Sequence, residues 1–211
     1  MQLTIKPDAI PDVSADWYRE IVEFAEGSPP AVQWFAAHFT EASIVLLGLL
    51  LAVAAVRHLA APTRGRALAL AAPVGVLLAY GLSEGTKPLL DQERPCRAFG
   101  QLEIIAAQCP PTGDWSFPSN HSTIAGATAA AILLLSRQLG LIATVVAALA
   151  AFSRTFVGVH YPHDVLAGLL LGATVTALTV PLLARWVTGP VSRRIGPLPG
   201  RLGSRTRDLV P

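Results

Sequence analysis

The stretch Val165–Ala184, VLAGLLLGATVTALTVPLLA, runs for twenty residues without a charged side chain. As a helix it would reach about 30 Å, the thickness of a bilayer's hydrocarbon core. Four other blocks share its character: Ala42–Ala61, Ala67–Ser83, Ser122–Ser136 and Gln138–Phe152. The last two are short against the ~20 residues a span needs, so they must borrow flanking polar turns or sit where the protein is thin. One such block could be a buried helix of a soluble protein, but five in a chain of 211 residues leave nothing to bury them. The expected fold is all-α, a polytopic membrane helical bundle of five spans plus an N-terminal interfacial helix or sixth span.

Composition agrees. The chain is 52% hydrophobic and 14% charged with a mean hydropathy of +0.50, which argues against a soluble domain and against low-complexity disorder. A net charge of +2, spread between apolar blocks, gives no basic face for nucleic acid. Two cysteines make neither a disulfide scaffold nor a four-thiolate zinc site. Cys96 and Cys109 lie in one loop, where they are either bonded, in an oxidising compartment, or two free thiols.

Ten of the sixteen basic residues follow spans one, three and five: Arg57, Arg64, Arg66, Arg137, Arg185, Arg193, Arg194, Arg201, Arg205 and Arg207. The positive-inside rule makes that face cytoplasmic and turns the long loops 84–121 and 153–164 outward. Three units follow: 1–40, an outer-surface amphipathic segment; 41–187, the membrane bundle; and 188–211, a flexible basic cytoplasmic tail. Segment 16–39 is aromatic but carries Asp16, Arg19, Glu20, Glu23 and Glu26, and Gly27-Ser28-Pro29-Pro30 breaks it. The start of the chain lacks the basic-then-apolar pattern of a cleavable signal.

Polar residues gather at the outward ends of the spans, where ionisable groups are costly unless used. Lys87 through Arg94-Pro95 follows span two; Ser116 through His121 precedes span three; Ser153-Arg154 ends span four; and His160-Tyr161-Pro162-His163-Asp164 opens span five. Three cations, two or three imidazoles, a carboxylate and a hydroxyl at a helix start suit a phosphoryl group. A divalent metal would be repelled by the cations and would want more carboxylates, so neither metal nor cofactor is expected. Pro162 suits a first helical turn, placing Asp164 in that turn and His160 just outside it. The carboxylate can then hold one ring nitrogen while the other attacks phosphorus, and His121 can protonate the leaving oxygen.

The pattern Lys87-x6-Arg94-Pro95, Pro118-Ser119-Asn120-His121 and Ser153-Arg154-x5-His160-x3-Asp164 resembles the signature of the type 2 phosphatidic acid phosphatase family. These are membrane lipid phosphatases related to vanadium haloperoxidases, and the resemblance covers about residues 67 to 185. It implies a metal-independent phosphatase with His160 as nucleophile, Asp164 as its partner and His121 as general acid. Lys87, Arg94, Ser119, Asn120 and Arg154 would form the phosphate cradle. Asn120 stands where the family often has Gly; Asn tolerates a left-handed backbone and can donate from its side chain, so a variant cradle is expected.

Several polar residues have plainer readings. His38 and His58 are read as interfacial, His163 as interfacial ahead of a supporting place beside the His160–Asp164 pair, Arg97 as a loop charge or an extension of the basic rim, and Asp91 and Glu93 as outward-facing or paired with loop cations. Gly126-x-x-x-Ala130 and Gly168-x-x-x-Gly172 mark close helix packing. Fourteen Arg against two Lys fits a GC-rich bacterial source, hence a bacterial plasma membrane with the site outward. The partners are the bilayer and a lipid phosphate, with a polyprenyl pyrophosphate such as undecaprenyl pyrophosphate first and phosphatidate or phosphatidylglycerol phosphate second. A lipid phosphotransferase and a non-catalytic membrane scaffold remain as other classes.

Overall fold

In the computed structural model, residues 11–59 and 63–194 are described, with side chains to residue 188. They form seven helices and no strand. These are α1 Asp12–Glu26, α2 Pro30–Leu59, α3 Thr63–Leu90, α4 Pro95–Ala98, α5 Asn120–Leu135, α6 Arg137–Phe156 and α7 Pro162–Arg194. The basic tail beyond Arg194 lies outside the described residues. Four helices, α2, α3, α6 and α7, are long and apolar enough to cross a membrane, and α5 is a shorter apolar one. Their outer faces are studded with exposed Leu, Val and Phe, such as Leu49, Leu77, Val145 and Leu170. A soluble bundle would bury these.

α5 is short because it is the bundle's centre. Ala125, Ala127, Ala131 and Ile132 are wholly buried, and α5 packs against α2, α3, α6 and α7. The crossing with α7 depends on missing side chains. A Cβ on Gly126 would overlap the Leu169 carbonyl oxygen, and one on Gly172 would overlap that of Thr123. These are the two small-residue motifs of the sequence, meeting each other. α6 is longer than its apolar block, because Ser153 through Phe156 continue the helix and place Arg154 on its last turn.

The N-terminal region is two elements. α1 ends at Gly27, whose N–H bonds back to Glu23, and α2 starts at Pro30, so residues 30–39 belong to the first long helix. Along α1 a stripe of Ser14, Tyr18, Val22 and Ala25 is buried at helical spacing. It packs on Phe99, Leu102, Ile104, Phe156, Val157, Val159 and Tyr161, the loops and helix ends that hold the polar clusters. Tyr18 donates to the Gly158 carbonyl at 2.9 Å. Trp17, Phe24, Trp34 and Phe35 remain exposed around this end, as an aromatic belt requires.

Candidate active site

Five alternating helices carry the ends of α3 and α6 and the starts of α2, α5 and α7 to one end of the bundle, where every signature residue lies. Lys87 is on the last turn of α3, which stops at Asp91 in a left-handed conformation (φ 48°). Asp91 is buried there rather than outward-facing. The chain then turns through Arg94 and Pro95 into α4, and Cys96 is bonded to Cys109, with Cα atoms 5.8 Å apart. Arg97 is held within this loop by the Pro110 and Pro111 carbonyls and by Glu93 at 3.3 Å, so it does not extend the basic rim.

His160 sits in the short link between α6 and α7, 2% exposed. Its two nitrogens have opposite environments. Nδ1 lies 3.4 Å from Asp164 Oδ2 and 3.3 Å from Ser116 Oγ, while Nε2 is 3.0 Å from Arg94 Nη1. A guanidinium only donates, so Nε2 presents a lone pair and Nδ1 carries the proton toward the carboxylate. Burial, reinforced by the Arg94 and Arg154 charges and opposed by Asp164, lowers the pKa of His160 to about 3. The imidazole is therefore neutral at physiological pH with its lone pair aimed at the guanidinium.

Asp164, in the first turn of α7, is fully buried and fully subscribed. Oδ2 accepts from Ser116 Oγ and from the Tyr161 N–H at 2.9 Å; Oδ1 accepts from Gln92 Nε2 at 2.8 Å and faces His163 Nε2 at 3.1 Å. His163 in turn accepts from Ser14 of α1 at 2.7 Å and approaches Gln92 Oε1 at 3.2 Å. His163 thus ties α1 to the carboxylate, the supporting place that was the second of its two sequence readings. Gln92 and Ser116 complete the shell, and no spacing rule in the sequence singles them out.

The remaining residues form a ring. Lys87 Nζ and Arg94 Nη2 meet Asp114 Oδ1 at 3.2 and 2.9 Å. Burial raises the Asp114 pKa, but the hydrogen bonds and charges of Arg94 and Lys87 outweigh it and hold the carboxyl below its ordinary value. Lys87 also lies 4.0 Å from Glu84, which accepts from Asn120 Nδ2. Next along α5, His121 Nε2 is 3.0 Å from Glu41 Oε1, which Arg154 Nη1 meets at 3.2 Å. The ring closes through Val159, whose N–H donates to the Arg154 carbonyl and whose own carbonyl accepts from Arg94. Arg154 Nε is buried without a partner among the described residues, a donor left for an incoming oxygen.

Two residues expected in the cradle are engaged at the start of α5. Ser119 is buried as the cap of α5, its Oγ accepting from Ser122 N–H and Oγ–H at 3.5 and 3.2 Å. Asn120 is the first helical residue of α5, so its tolerance of a left-handed backbone goes unused; its Oδ1 accepts from Ser83 at 2.8 Å. Among the described residues, His38 and His58 bond only to their own helix, at the Trp34 and Ala54 carbonyls. Chemically, the ring offers a neutral imidazole lone pair, three fixed cations, the open N-terminus of α5 and a second imidazole. This set can receive a tetrahedral dianion.

The sequence profile of the PAP2 superfamily matches residues 68–187. An undecaprenyl-diphosphatase of Sulfolobus acidocaldarius is 31% identical over 131 residues, 62% of this chain but only 61% of that protein. A decaprenylphosphoryl-5-phosphoribose phosphatase of Mycobacterium tuberculosis is 38% identical over 145 residues, 67% of this chain and 73% of that one. Among solved structures, Aquifex aeolicus LpxE superposes with a TM-score of 0.58 at 21% identity, over 85% of this chain and 99% of its own. A Bacillus subtilis PAP2-type phosphatidylglycerolphosphate phosphatase gives 0.53 at 20% identity, over 87% and 90%. At these identities the structures share the fold.

Proposed function

The chain belongs to the PAP2 superfamily, and we propose that it is an integral-membrane lipid phosphatase working without metal through a phosphohistidine at the outer leaflet of a bacterial plasma membrane. The observation that carries this is the environment of His160, with its proton held by Asp164 and its lone pair at Nε2 beside Arg94. In the first step Nε2 attacks phosphorus as the bond to the leaving oxygen breaks, and His121 gives that oxygen its proton. In the second step water attacks the phosphohistidine, His121 takes the water's proton, and the P–N bond breaks to release phosphate. Lys87, Arg94 and Arg154 supply the charge that a divalent ion supplies elsewhere. Asp114 and Glu41 pair with these cations, and on this reading the phosphoryl oxygens take over the same donors.

For the lipid, two relatives named for polyprenyl substrates support a polyprenyl carrier. The sequence ranks a pyrophosphate such as undecaprenyl pyrophosphate first; the acidic surroundings of His121 favour a monoester. Purified protein should release phosphate from lipid phosphates in the presence of chelator, and vanadate should inhibit by adopting the five-coordinate geometry of the transition state. Activity abolished by chelator and restored by magnesium would overturn the metal-free mechanism. Phosphate passed to a second lipid rather than to water would identify a phosphotransferase.

A further inference from the structure

The leaving-group end of this site is acidic. Both carboxylate oxygens of Glu41 lie within 3.1 Å of His121 Nε2, the nitrogen that protonates the departing oxygen. Glu84 holds Asn120, the residue before His121, from the other side. Their side chains are 68% and 52% exposed, so both stand at the mouth of the site rather than in its floor. The cations are already committed. Lys87, Arg94 and Arg154 surround the single phosphoryl position, Arg97 is bound to two carbonyls and Glu93, and Arg19 is paired with Asp16 and lies over the Phe99 ring. A pyrophosphate would place its second phosphate at the leaving-group end, against two carboxylates and, among the described residues, no free cation. A neutral headgroup rich in hydroxyls would find there two exposed carboxylates with lone pairs to spare beyond those that His121, Arg154 and Asn120 use.

We propose that Glu41 and Glu84 are specificity-determining residues that read the leaving group, accepting hydrogen bonds from a hydroxyl-bearing glycosyl or polyol headgroup and excluding a second phosphate. The inference rests on the lipid phosphatase reading and names its substrate class, a phosphomonoester on a hydroxylated lipid headgroup. Glu41, on α2, lies outside the segment that matches the superfamily, residues 68–187, and Glu84, on α3, lies inside it.

The test uses the full-length purified protein in detergent and three probes with one tail: dodecyl phosphate, dodecyl pyrophosphate and dodecyl glucoside 6-phosphate. Wild-type kcat/KM should rank the glucoside phosphate first and the pyrophosphate last, although the pyrophosphate has the better leaving group. Glu84→Gln removes a charge without touching His121, and should raise the pyrophosphate rate relative to dodecyl phosphate about tenfold. Glu84→Ala should lower the glucoside phosphate relative to dodecyl phosphate about fivefold, the loss of one hydrogen bond. Glu41→Ala should do the same, and this ratio is blind to the acid because both monoesters leave as alkoxides needing the same proton. Ratios within one preparation do not depend on how much of a variant folds. Wild type cleaving the pyrophosphate faster than both monoesters would overturn the inference and leave the phosphatase reading intact. So would ratios unchanged in every variant. No phosphate from any probe would overturn both.

Discussion

His160 shows how burial and charge set the protonation of an imidazole. An imidazole in water takes a proton near pH 6.5, but here burial and the nearby guanidinium charges push protonation down to about 3. Its ring resonances should therefore stay fixed between pH 8 and 5 in an NMR titration of labelled protein, assigned by their loss in His160→Ala; a midpoint near 6.5 would refute the geometry. The sign for stability follows. The unfolded chain takes up the proton near 6.5 and the folded one does not, so the stability this group contributes is complete above that pH and is lost as pH falls toward 3. On the phosphohistidine reading, His160→Ala should form no phosphoenzyme with any substrate and lose at least about a thousandfold in turnover. His121→Ala removes only the proton donor, so its deficit should track the leaving group, larger for an alkoxide than for the phosphate leaving from a pyrophosphate. Equal relative losses on both substrates, with chemistry rate-limiting, would show that His121 has another role. The pairing of His160 with Asp164 was legible because the two are four apart across a helix start, a local relation that spacing encodes. Glu41 and Asp114 were not: Glu41 meets its partners only after α2 is packed beside α5 and α6, and Asp114 only after its irregular loop folds back onto Lys87 and Arg94.

The helices impose a second kind of constraint. A Cβ on Gly168 would press on the Ser119 carbonyl oxygen and the Ser122 side chain, forcing the start of α5 away from the start of α7. Those two starts carry His121 and Asp164. Gly168→Ala should thus cost about 1–3 kcal/mol of stability and should also misalign the site, lowering kcat more than the loss of folded protein accounts for. Gly81→Ala is the contrast, on an exposed face of α3 with nothing within 4 Å of the added carbon. There alanine's helix propensity should raise the melting temperature, by up to about 1 kcal/mol in stability. Melting curves and kcat on the two variants check this pair, and a Gly168→Ala enzyme with unchanged Tm and kcat would refute the close crossing. Small residues at fourfold spacing announced that helices approach closely, but not which ones; only the structure pairs Gly126 of α5 with Leu169 of α7. The apolar blocks likewise announced the spans yet understated α6, because helix continues through Ser153–Phe156 where hydropathy has already ended.

At the scale of the molecule, charge and chemistry sit at opposite ends. α2 and α5 end, and α3 and α6 begin, near Arg57, Arg64, Arg66 and Arg137, and α7 carries Arg185 toward that same end. The other end holds the ring of site residues, the disulfide between Cys96 and Cys109, and α1 with its exposed aromatics. Arginines that retain insertion on the cytoplasmic side would leave the site outside, and a disulfide persists where the compartment is oxidising. The arginines and the disulfide, at opposite ends of the bundle, give the same orientation. Intact cells producing the protein should therefore hydrolyse an added membrane-impermeant phosphomonoester without permeabilisation, and an impermeant reductant should free both thiols for labelling from outside. Inverted vesicles, with this end in the lumen, should show activity on the same substrate only after detergent. The opposite pattern, activity in sealed inverted vesicles and none in intact cells, would place the site in the cytoplasm. It would mean that the arginines at the far end do not direct insertion, and the outer-leaflet substrate would have to be abandoned with them.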